Sequence, residues 1–121
     1  MTTAKTFNTA DLTQFTGSEH WYRHGLVRQV LYTDGARYVA ETAGAYWLLD
    51  EIALAQRSEW SVKAEPFQVW TLTVQDSAGT LTCEGGDGRR VFKKAIPFTD
   101  FPAEGVTLWF CENTILLASE Y

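Results

Sequence analysis

The chain is poor in the residues that announce chemistry. It has two cysteines, two histidines, one methionine and three prolines in 121 residues. Two cysteines are too few for a disulfide scaffold. Cys83 and Cys111 each sit in an apolar, strand-like run and read as packed, reduced thiols, with a bridge open to them only if their strands lie side by side. No apolar stretch approaches ~18 residues, so no membrane span is expected. The first residues carry a single Lys and no apolar core, which argues against a secretory signal. There is no G-x-S-x-G, C-x-x-C, Walker A or H-E-x-x-H pattern. Gly85-Gly86-Asp87-Gly88 is glycine-rich, but no helical pattern follows it, and it reads as a hairpin turn rather than a phosphate loop.

Positive charge is scarce as well. Ten Lys and Arg face fifteen Asp and Glu, for a net charge of −5. Duplex nucleic acid needs a basic footprint, so this balance argues against it as a partner. Four of the ten basic residues fall in one run, Arg89, Arg90, Lys93 and Lys94, and the 27 residues from Ala95 onward contain none.

What the chain does have is apolar and aromatic content, at 45% and 14% of residues. That is enough for a buried core and one domain over residues 1–121, with 1–8 expected to be flexible. A short helix is expected over Ala10–Phe15, stopped by Gly17. Leu26–Tyr32 and Arg37–Glu41 flank Asp34-Gly35, the preferred pair for a type I′ hairpin, and that register would set Arg28 opposite Glu41. Thr42 is placed to cap a helix from about Ala45 to Arg57, whose Ala45, Leu48, Leu49, Ile52 and Ala55 form one apolar stripe. Trp47, Glu51 and Leu54 lie nearly opposite that stripe.

The second half reads as strands: Phe67–Gln75, Thr80–Glu84, Val91–Phe98, Val106–Cys111 and Thr114–Ala118. Turns fall at Asp76-Ser77-Ala78-Gly79, Gly85–Gly88 and Glu112-Asn113. The expected class is α+β: a curved antiparallel sheet of six to seven strands, one central helix packed on it, and the short N-terminal helix.

Two sets of residues are candidates for function. Both histidines fall within Ser18–His24, four apart, so they share a face of either a helix or a strand. His20, Arg23 and His24, with Asp50, would line a polar ligand cleft, and Glu19, Asp34, Glu41 or Asp50 could orient an imidazole. Two histidines without further ligands make a poor metal site, so neither metal nor cofactor is expected. Trp47, Glu51 and Leu54 form the second set. An apolar patch on the far side of a packed helix suits a protein partner or self-association.

The runs Phe15–His24, Leu31–Gly35, Gly44–Asp50, Phe67–Trp70, Ile96–Pro102 and Leu116–Tyr121 together resemble a family of small bacterial proteins of unknown function. The resemblance covers the chain from about Asp11. It implies a stand-alone domain, of a kind carried on plasmids and other mobile elements, and it supplies no catalytic residue; the reduced thiols are what suggest the cytoplasm. The reading with most support is a non-enzymatic binding or interaction module, with a small ligand-binding protein or enzyme built on His20, Arg23 and His24 as the alternative.

Overall fold

The computed structural model describes residues 20–121. The N-terminal helix expected over Ala10–Phe15, the expected flexible start and Glu19 lie outside these residues. The described chain is a mixed α+β fold. It runs β1 (Trp21–Arg23), β2 (Leu31–Thr33), α1 (Asp34–Thr42), α2 (Tyr46–Ser58), α3 (Trp60–Lys63), β3 (Phe67–Gln75), β4 (Ala78–Gly85), β5 (Arg90–Ile96), β6 (Val106–Cys111) and β7 (Thr114–Leu116), then a 3₁₀ turn over Ala118–Glu120.

The seven strands form one open sheet in the order β1-β2-β7-β6-β3-β4-β5. The expected all-antiparallel sheet needs correction, because β2 and β7 run parallel. Their connection passes through three helices and four strands, well beyond the dozen or so residues that a parallel crossover needs.

A second correction concerns the expected hairpin. Arg37–Glu41 is not a strand, and Asp34-Gly35 is not a turn; both belong to α1. Thr33 is extended, and its side chain accepts from the Ala36 amide, so Thr33-Asp34-Gly35-Ala36 is a helix N-terminus. The apolar residues that follow, Ala36, Val39, Ala40 and Ala43, are buried at helical spacing. Arg28 therefore does not face Glu41. Just past the C-cap Ala43, Gly44 has a φ of 63°, the left-handed conformation that lets the chain turn into α2. Thr42 closes α1 and does not cap α2, whose N-cap is Ala45 with no side-chain bond.

The strands of the second half follow the expected pattern closely. Asp76-Ser77 and Glu112-Asn113 both have positive φ at their two residues, as type I′ turns require. They join β3 to β4 and β6 to β7, with closing pairs Gln75↔Ala78 and Cys111↔Thr114. The even-numbered residues of β3 point at the helices, and Trp70 and Leu72 are buried among Leu81, Leu108 and the α2 stripe of Leu48, Leu49 and Ile52. Each such side chain contributes about 1.5–3 kcal/mol on burial.

The two thiols are free. Cys83 lies opposite Trp70 on β4 and Cys111 opposite Phe67 on β6, so β3 separates them and the pleat turns them to opposite faces. A bridge is excluded by that placement. Burial pushes the Cys83 thiol up to about 12, with the Glu65 and Glu84 charges adding to it, so it is no nucleophile.

Candidate functional site

The extended β1 segment sends Tyr22 toward the helices, with His20 and His24 on the same side. Their contacts differ. His24 is buried, and its Nδ1 accepts from the Leu26 and Val27 amides at 3.1 and 3.0 Å. The ring proton therefore sits on Nε2, which donates to Asp50 Oδ1 at 2.8 Å. The imidazole thus closes the loop after β1 and ties it to α2. His20 is exposed, and its Nδ1 lies 3.4 Å from Asp34 Oδ2 at the start of α1. Arg23 donates to the Arg28 carbonyl. The structure pairs His24 with Asp50 and His20 with Asp34, and holds Arg23 apart from both pairs.

Around Asp34 a polar chain extends along α1. Tyr22 Oη donates to Asp34 Oδ1 at 2.9 Å, the Arg37 guanidinium sits 4.7 Å above the Tyr22 ring, and Arg37 pairs with Glu41, which also accepts from Tyr46. The Tyr22 hydroxyl holds the Asp34 carboxyl below its ordinary range; burial opposes this and His20 adds to it. Arg37 is held more firmly protonated by Tyr22 and Glu41. Burial, and then Glu41, push the Tyr46 hydroxyl up. No nucleophile joins this chain, and no group of three metal-ligating side chains occurs among the described residues.

The second candidate set divides. Trp47 packs against the core. Leu54 is 42% exposed, and Glu51 reaches across to Lys94 Nζ at 2.8 Å. Both line an open groove of about 400 Å³ between α2 and β5. Phe92, Lys93 and Lys94 form its opposite wall, and Ser58 and Glu59 border it toward α3. Phe92 is fixed by Trp70, 5.4 Å away between ring centroids. β5 is the last strand of the sheet, so the groove runs beside a free edge.

Phe92 and Lys94 are the residues that the sequence did not place beside Leu54. Strand alternation puts Phe92, Lys94 and Ile96 on one face, and Glu51 supplies the opposite charge, but nothing local says that α2 crosses next to β5. Gln68 was missed as well. It is buried and polar; its amide bonds Gln56 in both directions, Trp70 Nε1 donates to it, and it reaches the Val62 and Glu65 carbonyls. That network leaves it no capacity for a ligand.

The profile of a family of unknown function, DUF6876, matches residues 6–121. The chain belongs to that family. No curated protein and no solved structure matches it. Membership of DUF6876 thus assigns no activity. No helix among the described residues is long and apolar enough to cross a membrane.

Proposed function

We propose that this DUF6876 protein is a non-enzymatic protein-interaction module and that the groove between α2 and β5 is its docking site. One observation carries the reading: Leu54 and Phe92 face each other across an open groove at a sheet edge, with charged side chains on both rims. An apolar floor with a charged border is the usual anatomy of a protein interface. The reading uses Glu51 and Leu54 from the expected patch and leaves Trp47 a packing role against the core. A bacterial origin and a role as an accessory factor of a mobile element are supported by the sequence resemblance alone, and a place in the cytoplasm by the two free thiols.

The test is selection of binders from a random displayed-peptide library on the wild-type protein, followed by binding to Leu54→Glu. Because Leu54 is half in solvent, the variant is expected to keep its fold, which circular dichroism checks. The selected peptides should bind the variant at least about tenfold more weakly. Peptides that bind both proteins equally, or a selection that enriches nothing, would overturn the reading.

A further inference from the structure

Resting on that reading, we infer that the partner enters as an extended segment that adds an eighth strand to β5, with apolar residues alternating with acidic ones.

The backbone geometry identifies where such a strand can pair. The Gly85 amide donates to the Arg89 carbonyl, so the odd-numbered residues of β4 turn their backbone groups toward β5. The register matches Cys83 with Phe92, Leu81 with Lys94 and Gly79 with Ile96. In an antiparallel ladder, alternate residues point to alternate sides. Phe92, Lys94 and Ile96 are therefore joined to β4, while Lys93 and Ala95 direct their N–H and C=O groups outward. Between the Cys83 and Glu84 pairs the register shifts, leaving Val91 as the extra residue of a bulge, and its carbonyl is taken by Ser61 Oγ of α3 at 3.0 Å. Pro97 has no N–H to offer. The free edge is thus a short window, closed at one end by α3 and at the other by a proline. Lys93 and Ala95 are exposed within it.

The two sides of that window differ. On the helix side, an added strand would place alternate side chains over Leu54, Ala55 and Phe92, which favours apolar residues. Lys93 borders the groove as well, and strand alternation turns its side chain toward the other face, with Arg90 two pairs along the ladder at Glu84. Neither forms an ion pair among the described residues, whereas Arg89 is paired with Glu65 and Lys94 with Glu51. In a chain with five more acids than bases, two unpaired cations beside a free edge favour carboxylates on the incoming strand. The same cations oppose a second copy of this chain, because antiparallel β5–β5 pairing would bring two sets of Arg90 and Lys93 together. Strand addition supplies backbone hydrogen bonds, and the groove and the lysine then set the period-two preference.

The experiment takes the peptides selected on the wild type, sequences them, and measures amide hydrogen exchange in their complexes. Peptides with acidic residues at alternate positions are expected. They should slow exchange of the Lys93 and Ala95 amides, lose that effect when N-methylated, and bind Lys93→Glu about tenfold or more weakly. Peptides that respond to Leu54→Glu but leave these amides exchanging freely, or that show no acidic preference, would overturn strand addition while the groove reading stands. Peptides indifferent to Leu54→Glu would sink the groove reading itself.

Discussion

The strongest turn signal in the chain is not a turn, and two weaker ones are. Asp34-Gly35 is the pair that type I′ hairpins favour, yet it opens α1. Asp76-Ser77 and Glu112-Asn113 lack glycine, yet each forms the left-handed pair. The difference lies in what surrounds them. The latter two sit between strands that pair directly across the turn, over eight pairs for β3–β4 and three for β6–β7, so the ladder holds the strained pair in place. Asp34-Gly35 is followed by apolar residues at helical spacing and preceded by a threonine that caps. It is also met by Glu120, whose carboxylate accepts from the Thr33 hydroxyl at 2.7 Å, the Gly35 amide at 2.9 Å and the Leu117 amide at 2.8 Å. A carboxylate at a helix N-terminus satisfies donors that no backbone group can reach. A local pair signal yields to this combined pull of periodicity and a contact 85 residues away.

The largest effect is expected at Gly35. A Cβ there would lie 2.5 Å from Glu120 Oε1 and 2.6 Å from Leu117 Cδ1. Within a helix, Gly to Ala ordinarily stabilises by up to ~1 kcal/mol. Here Gly35→Ala is expected to destabilise by about 2–3 kcal/mol, as overpacking does. Urea denaturation measures it, and pairing the change with Glu120→Ala should recover about 1 kcal/mol or more of the loss through coupling. A neutral or stabilised Gly35→Ala would mean that Glu120 does not pack there.

A smaller effect of opposite sign is expected at Ser77. Its φ of 64° is costly for a residue with a Cβ. Ser77→Gly should raise stability by about 0.5–1 kcal/mol, the strain relieved being partly offset by glycine's greater freedom when unfolded. A loss of stability would show that the Ser77 side chain matters more than its backbone.

These two positions also mark how far the sequence could be read. Phe67–Gln75 and Val106–Cys111 were expected with the bounds they have, because alternation and short turns are local. The stripe from Ala45 to Ala55 was legible for the same reason. Seven strands, the upper end of the expected six to seven, are reached only because β1 takes the place of the mistaken Arg37–Glu41 strand. The parallel β2–β7 pair and the Glu120 contact were out of reach, since each joins residues far apart in the chain. The candidate site divides in the same way. Leu54 and Glu51 could be picked out by helical phase, whereas Phe92 and Lys94 become neighbours of α2 only through the order of the sheet. The histidine spacing was visible; that the two rings would find different carboxylates was not.

The smallest effect tests α1 once more, through Asp34. Its carboxyl is held below the ordinary value of 3.8, chiefly by the Tyr22 hydroxyl. A carboxylate depressed in the folded state contributes stability above its unfolded value and loses it as pH falls through the folded one. Asp34→Asn should therefore lower the urea midpoint slightly at pH 7, and the gap to wild type should close as the pH falls below 3.8. The first-turn position of Asp34 acts in the same direction, because a negative charge is favoured there. A hairpin would predict the reverse, since Asn-Gly serves a type I′ turn at least as well as Asp-Gly. A variant that is neutral or more stable at pH 7 would speak for the turn. A deficit that persists unchanged at low pH would assign the loss to packing and not to charge. Only a deficit that fades with acid identifies Asp34 as the charged first residue of a helix.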